Sequence, residues 1–252
     1  MIDVQIRKTF LSRRRTVRFA LDVSYAIADS ETWTVLFGPS GSGKSLTMHC
    51  LAGLVTPDSG HIGLDGTTLF DSGQGINLPV QQRHIGFMLQ DYALFPHLTV
   101  LQNVAYVRSG FFPHFVSPEE RERAMAMLEL VGMAHLARRR PEELSGGQRQ
   151  RVALARTLNA EPRLILLDEP LSALDPLLRE QLRRELLALL AEQHIPVMVI
   201  THDPDDVEAF AGKLVIYDNG RAHVVPSWAE DRSKYRSPSA CLRALQERMH
   251  GS

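Results

Sequence analysis

The chain has few cysteines, almost no excess of charge and no long apolar run. Its 252 residues include only two cysteines, Cys50 and Cys241, which form no metal-ligand or redox pattern and favour a reducing cytosol over a disulfide scaffold. A net charge of −1 gives no reason to expect nucleic acid as the main partner, because such proteins usually carry a basic excess. No apolar run approaches the roughly 18–20 residues that span a bilayer, and the N-terminus lacks the apolar core of a signal peptide. We therefore expect a soluble chain that contacts any membrane through a partner.

The order of the predicted elements indicates an α/β fold. Strand, crossover helix and strand recur, which favours a mostly parallel sheet with helices on both faces. We predict one elaborated domain over residues 1–225, with a helical block inserted at about 91–145, and a short tail over 226–252 without a regulatory domain. Helical spacing after the first third of the chain predicts helices over 98–107, 118–131, 148–159, 176–193 and, near the end, 239–249.

A glycine-rich segment between a buried strand and a helix is the strongest local signal. It reads Gly38-Pro39-Ser40-Gly41-Ser42-Gly43-Lys44-Ser45 and follows the apolar run 33–37. Glycines let main-chain amides turn inward as donors for phosphate oxygens, and the helix that follows adds its positive end. Lys44 is expected to neutralise the β- and γ-phosphates, and Ser45 to place its hydroxyl on Mg²⁺. The segment therefore predicts a site for a nucleoside triphosphate.

Two carboxylates end the apolar run Leu164-Ile165-Leu166-Leu167. Asp168 and Glu169 would lie at the C-terminal edge of a parallel sheet, where ligands bind in such folds. We expect Asp168 to hold Mg²⁺, directly or through water, and Glu169 to polarise the attacking water as general base. The alternative is a solvated acidic turn, which the phosphate loop earlier in the chain disfavours.

Two further polar residues follow predicted strands. His202 comes after the run 197–200 and is expected to contact the γ-phosphate, although a histidine at a strand end is more often a structural hydrogen-bonding residue. Gln90 comes after the run 85–89 and could reach Mg²⁺ or the attacking water. Glutamine is common after strands, so its position alone leaves both interpretations open.

A second phosphate-binding device stands at Ser145-Gly146-Gly147-Gln148. It repeats the features of the first: small residues, bare amides and then a helix N-terminus. Lys44 and its loop already supply a full set of ligands for one nucleotide. We infer that the second device binds the γ-phosphate held by another copy of the chain, although a simple helix cap at Ser145 is the alternative.

Taken in order, these segments resemble the ATPase subunit of ATP-binding-cassette (ABC) transporters over about residues 1–225. The resemblance implies a P-loop NTPase core of the RecA type, with a mostly parallel sheet, an antiparallel β subdomain and an inserted helical subdomain. It implies ATP and Mg²⁺ as cofactors, and two subunits that sandwich two ATP molecules head to tail. It also implies roles for particular residues. Nucleotide-binding residues would be Gly38, Pro39, Ser40, Gly41, Ser42, Gly43, Lys44, Ser45, Leu46, Ser145, Gly146, Gly147, Gln148 and Asp175.

The resemblance further implies metal ligands at Ser45, Gln90 and Asp168, and catalytic roles for Glu169, His202, Gln90 and Lys44. Asp175 belongs to the segment Ser172-Ala173-Leu174-Asp175, which matches the dimer-contact loop of the family. Members of this family are peripheral to the cytoplasmic face of the membrane. They bind transmembrane permease subunits and act indirectly with an external solute-binding protein.

The segment from Ile85 to Val100 is similar to the glutamine loop of bacterial importers for inorganic anions and related solutes. Within that group the chain is most similar to molybdate-importer ATPases, which the inserted stretch from Leu69 to Pro79 fits best. Sulfate, ferric-iron and polyamine importers share much of the pattern and stay as alternatives. A soluble ABC-type switch protein is a remote alternative, because the chain holds one cassette and no long coiled-coil insertion.

Three features concern surfaces outside the phosphate sites. The aromatic residue that stacks on adenine in many members has no direct counterpart in Ser12-Arg13-Arg14-Arg15, so we expect Phe10 or an arginine plane there. The loop continues Ser45-Leu46-Thr47 where Ser-Thr-Leu is usual, which keeps the Mg²⁺ hydroxyl. Finally, we expect an exposed apolar cluster near Tyr92, Leu94, Phe95 and Leu98 to dock a permease helix, with core packing as the alternative.

Overall fold

The computed structural model describes residues 1–11, 17–28, 33–109, 116–172 and 176–250. These residues form two compact units, each with its own core. The first unit combines Met1–Arg83 with Pro196–Ser252, and the second is His84–Ile195. Over the described residues, no helix is both long enough and apolar enough to cross a membrane.

Five strands of the first unit form an antiparallel sheet in the order β2-β1-β4-β5-β6. Alternate residues of its long strand β1 (Ile2, Val4 and Ile6) are buried, as a sheet with one covered face requires. The strands are β1 (Ile2–Leu11), β2 (Val17–Ile27), β4 (Ser59–Leu64), β5 (Thr67–Asp71) and β6 (Ile76–Asn77).

The other strands of the first unit carry the phosphate loop. β3 (Trp33–Phe37) pairs in parallel with β9 (Val197–Thr201) on one side and β10 (Lys213–Asp218) on the other. All five residues of β3 and of β9 are buried, as in a parallel sheet covered on both faces. β11 (Arg221–Val225) closes this part as an antiparallel partner of β10.

Four described helices complete the first unit. α1 (Lys44–Ala52) follows the phosphate loop, and α6 (Pro204–Phe210) packs on β3, where the rings of Trp33 and Phe210 stack at 5.1 Å. α7 (Trp228–Ser233) and α8 (Pro238–His250) form the C-terminal part. Cys241, Leu242 and Leu245 of α8 are buried, so this helix is part of the core.

The second unit is mostly helical around two strands. β7 (Ile85–Met88) and β8 (Leu164–Asp168) pair in parallel. The helices α2 (Val100–Ser109), α3 (Pro118–Leu130) and α4 (Gly146–Asn159) pack on one another, and α5 (Pro176–Gln193) follows β8. Asn103 is fully buried in α2 and bonds the segment before its own helix, because its amide donates to the carbonyls of Phe95, Leu98 and Thr99.

The structure confirms all five helices expected from spacing and moves the start of two of them by two residues. α5 has the expected bounds, but α4 begins at Gly146 because Ser145 caps it, and α2 begins at Val100. Thr99 and Gln102 bond each other's main-chain amide, which fixes the start of α2 two residues later than helical spacing indicates. α6 and α7 were not predicted, since each is only one to two turns long.

Arg83 is buried in the first unit, where its guanidinium organises the end of α1. It donates to the carbonyls of Cys50, Leu51 and Leu78 and to Asn77 Oδ1, each at 2.8 Å, and its side chain is 1% exposed. Two of these carbonyls, those of Cys50 and Leu51, belong to the last turn of α1, and the Cys50 carbonyl also accepts from the Gly53 amide at 3.2 Å. Gly53 leaves room for the guanidinium, because a Cβ there would lie 2.6 Å from Arg83 Nε. One arginine therefore caps α1 and holds the segment that follows β6.

We predict that Arg83→Leu destabilises the protein by about 3 kcal/mol, because it leaves buried carbonyls without a donor. The matched control is Arg7→Leu. Arg7 pairs with Asp22 at 3.1 Å, but its side chain is 71% exposed, so the loss should stay below about 1 kcal/mol. Urea unfolding of both variants measures the difference. Equal midpoints for the two would contradict the capping role.

Candidate functional site

The phosphate loop of the first unit has a backbone that only glycine can adopt at two positions. Gly38 has φ +151°, and a Cβ on it would lie 2.2 Å from the carbonyl oxygen of Tyr217. Gly43 has φ +107°, and a Cβ there would lie 2.5 Å from Leu21 Cδ1. Because these two positions have no side chain, the main chain of the loop can lie close to the Tyr217 carbonyl and to Leu21. The remaining surface of the loop, Pro39, Ser40 and Gly41, is exposed.

Lys44 places its ammonium inside the turn of this loop. Its Nζ donates to the carbonyls of Gly38 at 2.7 Å and Pro39 at 2.8 Å and lies 3.5 Å from Ser42 Oγ. The lysine is 6% exposed, and the first turn of α1 contains no acidic residue. A buried ammonium and a helix N-terminus whose first turn has no acidic residue favour phosphate at this loop. Ser45 and Leu46, half-buried, follow in the same turn.

His202 opens on the same recess as the start of the loop. A turn fixed by Thr201 follows β9: its hydroxyl donates to the buried Asp206 carboxylate at 2.7 Å and accepts from the amide of Asp203. This turn leaves the His202 side chain exposed. The recess has a volume of about 310 Å³ and is lined by Phe37, Gly38, Pro39, His202, Asp218, Gln246 and Met249. Sequence reasoning missed the last three, because no motif links α8 or the end of β10 to a phosphate loop.

The second unit brings together Gln90 and Glu169. Met88 pairs with Leu167 in the parallel ladder, so both residues follow strands that end at the same edge. Gln90 Nε2 donates to Glu169 Oε2 at 3.4 Å and to Ser172 Oγ at 3.3 Å. Ser172 Oγ in turn donates to the Glu169 carbonyl at 3.0 Å. Glu169 has φ +48°, a left-handed conformation that is unusual for a non-glycine residue and is held here by this set of bonds.

The segment Ser145–Gln148 forms the N-terminus of α4. The Gln148 amide donates to Ser145 Oγ at 3.3 Å, and the Ser145 amide donates to Gln148 Oε1 at 2.9 Å. This reciprocal pair is a capping box. Gly147 lets α4 approach α5 closely, since a Cβ there would lie 3.1 Å from Leu182 Cδ1. The helix start and the half-buried Gly146 therefore have fixed positions, as a binding surface needs.

Two expected features lie outside the described residues. Asp175, with Ala173 and Leu174, is one, and the arginines at 13–15 are the other. Phe10 is described, and its ring is 42% exposed, with Lys8 Nζ 5.9 Å from the ring centroid. An exposed aromatic face of this kind suits stacking on a base.

The expected metal ligands are hard oxygen donors. They are the hydroxyl of Ser45 in the first unit, and the half-buried Asp168 carboxylate and the Gln90 amide in the second. Over the described residues, no group of three or more His, Cys, Asp or Glu side chains could hold a metal by itself. Mg²⁺ commonly binds through one or two protein oxygens together with substrate phosphates and waters, so oxygen donors of this kind suit it chemically.

The expected docking cluster requires a correction. Leu98 is fully buried and Tyr92 is 6% exposed, because both pack into the core of the second unit. Of the four residues expected in the cluster, Leu94 and Phe95 reach the surface, and both are half-buried. The ring of Phe95 also packs on Tyr106, at 4.4 Å between centroids.

Comparison with known proteins gives three consistent matches. Over residues 21–172 the chain matches the family model described as ABC transporter. It is 41% identical to the Fe(3+) ions import ATP-binding protein FbpC of Haemophilus influenzae, over 86% of this chain and 60% of that protein. It is 42% identical to the molybdate/tungstate import ATP-binding protein WtpC of Archaeoglobus fulgidus, over 83% of this chain and 82% of that protein. The chain therefore spans only about three fifths of the length of FbpC.

The fold has a counterpart among solved structures. The dimeric ATP-binding cassette MJ0796, in a post-hydrolysis state bound to ADP and Pi, aligns with a TM-score of 0.71 at 28% identity. The alignment covers 90% of this chain and all of that one, which confirms the α/β fold class expected from the sequence. The family model alone covers more than half of the chain, and on that evidence the chain belongs to the ABC transporter family.

Proposed function

We propose that this chain is the ATP-binding and ATP-hydrolysing subunit of an ABC importer. The observation that carries the proposal is the phosphate loop, in which Gly38 and Gly43 have no room for a Cβ and the Lys44 ammonium lies within the turn. Permease subunits would hold it at the cytoplasmic face of the membrane, and a solute-binding protein would act through them.

Different residues would carry different parts of the chemistry. Amides of the phosphate loop and the Lys44 ammonium bind the phosphates and stabilise charge that develops on the γ-phosphoryl oxygens. Glu169 accepts the proton of the attacking water, and Gln90 orients its carboxylate through the bond from Nε2 to Oε2. Ser45, Gln90 and Asp168 would hold Mg²⁺, which would supply positive charge beside the phosphates. His202 contacts the γ-phosphate from the recess that it shares with Gly38 and Pro39.

The second phosphate-binding device makes a pair of chains necessary. Ser145 and the amides at the start of α4 would bind the γ-phosphate of the partner subunit's ATP, while the Asp175 segment would contact the partner. In a two-fold pair each chain then contributes its phosphate loop to one ATP and its α4 N-terminus to the other. The dimeric form of the cassette MJ0796 supports this arrangement.

We predict that Glu169→Gln abolishes hydrolysis but keeps ATP binding, because the amide cannot accept the proton and is otherwise the same size. The variant should accumulate as an ATP-bound dimer, and size-exclusion chromatography with a phosphate-release assay measures both effects. Glu122→Gln, an exposed carboxylate of α3, is the matched control and should hydrolyse ATP as the wild type does. Wild-type turnover by Glu169→Gln would remove the general-base role.

For the solute we propose molybdate or tungstate. The likeness to WtpC supports it, as does the inserted stretch from Leu69 to Pro79. That stretch contains the end of β5, a turn and β6, and in the turn the Asp71 carboxylate accepts the amides of Gly73 and Gln74. The chain is also 41% identical to an iron import protein, so a measurement of the transported solute decides between molybdate and iron.

We predict that cells without this chain lose high-affinity molybdenum accumulation and keep iron and sulfate uptake. Elemental analysis of cells grown at limiting molybdate measures this, with the wild-type gene restoring uptake. Reduced iron or sulfate uptake with unchanged molybdenum would replace the assigned solute.

Cells that lack this chain also allow a test of the docking surface. Leu94→Asp should fail to restore uptake, since a charge replaces an apolar contact with the permease, while the purified variant keeps its basal ATPase. Leu54→Asp is the matched control, because Leu54 is an exposed leucine (54%) of the first unit and should restore uptake. Equal restoration by both variants would refute docking at Leu94.

A further inference from the structure

The two residues that follow Asp91 in the glutamine loop have a strained backbone. Tyr92 has φ +63° and Ala93 has φ +43°, so two consecutive non-glycine residues are left-handed. Such residues cost on the order of 1–3 kcal/mol each and persist only where neighbouring groups hold them. The strain lies directly beside Gln90, whose amide contacts Glu169.

Arg156 holds this pair of residues. Its Nη1 donates to the Ala93 carbonyl and its Nη2 to the Tyr92 carbonyl, both at 2.7 Å. These are charge-assisted bonds from the two arms of one rigid fork. The guanidinium carbon also lies 6.0 Å from the centroid of the Phe95 ring. Burial lowers the pKa of Arg156, and the nearby Asp91 carboxylate opposes that shift.

Arg156 lies on the helix that Ser145 caps. Ser145 and Arg156 are eleven positions apart along the chain, which in a helix is about 16 Å at 1.5 Å per residue. A helix transmits a displacement along its axis because its own hydrogen bonds resist compression. A shift of the α4 N-terminus therefore moves the Arg156 guanidinium and, through it, the carbonyls of Tyr92 and Ala93.

The loop also connects to the other side of Glu169. The buried Tyr92 hydroxyl donates to the Pro170 carbonyl at 3.5 Å, a long bond directly after Glu169. Gln90 bonds both Glu169 and Ser172. The chain of contacts thus runs from Ser145 through α4 and Arg156 to the glutamine loop and then to Glu169, all within the second unit.

We propose that Arg156 is a positioning residue that couples the two ATP sites of the dimer. The inference rests on the proposed function, in which α4 serves the partner's ATP and Glu169 serves the chain's own. When the partner's ATP engages Ser145, Arg156 sets the glutamine loop so that Gln90 orients Glu169. Hydrolysis at one site then depends on occupancy of the other.

The other two arginines of α4 make different hydrogen bonds, although the charge of Arg149 also acts on Tyr92. Arg151 pairs with Glu185 of α5, and Arg149 donates to the Leu144 carbonyl before the helix. Neither of these bonds reaches the glutamine loop. Arg151→Lys is therefore the matched control for Arg156→Lys, since both keep a positive charge and lose the fork.

The experiment measures ATPase rate against ATP concentration for the full chain. For Arg156→Lys we expect kcat to fall at least about 5-fold, the lower end of usual coupling between sites, and the Hill coefficient for ATP to fall toward one. The KM for ATP, which here stands for binding at a single site, should change little. Arg151→Lys should keep the wild-type kcat and Hill coefficient.

A double-mutant cycle separates positioning from general destabilisation. In a Gln90→Ala background, Arg156→Lys should change kcat less than about 2-fold, because residues that act through one another are not additive. The same fold-loss in both backgrounds would overturn the proposal, and so would a wild-type chain with no cooperativity for ATP. The proposed function is tested separately. It stands if the wild type hydrolyses ATP and Glu169→Gln does not, whatever the double-mutant cycle gives.

Asp91→Asn provides a second variant at an exposed position. Its side chain still accepts the Ala93 amide, as Asp91 Oδ1 does at 3.2 Å, but it no longer anchors the guanidinium electrostatically. We expect the Hill coefficient to fall in the same direction, by less. If Arg156→Lys is insoluble and Asp91→Asn keeps full cooperativity, the proposal is overturned.

Discussion

The close approach of the phosphate loop to the main chain beneath it is the constraint on which the first unit depends. Gly38 lies against the Tyr217 carbonyl with no room for a side chain, and Gly220 lies equally close to the Ala20 carbonyl. The Gly220 amide donates to the Ser42 carbonyl, and the Gly220 carbonyl accepts from the Asp22 amide. The turn between β10 and β11 thereby joins the loop to β2, and the loop geometry follows from the packing of three separate strands.

Buried phenols support the same region. The hydroxyls of Tyr25 and Tyr217 lie 3.0 Å apart in the core of the first unit, and burial raises the pKa of Tyr217 to about 12. Both therefore stay neutral at any physiological pH and act only as hydrogen-bonding groups. Since the Tyr217 carbonyl also lies against Gly38, the two tyrosines fix the main chain on which the phosphate loop and Lys44 pack. A rigid support keeps the Lys44 ammonium in position to bind phosphate without reorganisation.

Sequence reasoning predicted the parts of the site that depend on residue type at fixed spacing. The glycines and Lys44 of the loop, the carboxylate pair after β8 and the cap at Ser145 each need particular side chains, so their pattern is visible. It could not predict Arg83 or Arg156, because both bond main-chain carbonyls that every residue carries. It was wrong about the exposure of Tyr92 and Leu98, since an apolar residue in a loop looks the same whether it faces solvent or core. The site assignments, including Asp175, stay predictions.

The central claim is that each chain contributes one half to each of two ATP sites. Mixing two inactive variants tests this claim most directly. Lys44→Ala removes the phosphate loop function and Ser145→Arg blocks the start of α4, so each variant alone should be inactive. In an equal mixture, half of the pairs are mixed and contain one complete site, so about one quarter of the wild-type ATPase rate is the ceiling. Because the other site of each mixed pair is empty, the coupling through Arg156 lowers the expected rate at least about 5-fold further, to about one twentieth of the wild-type rate. Activity no greater than the sum of the two separate variants would contradict it.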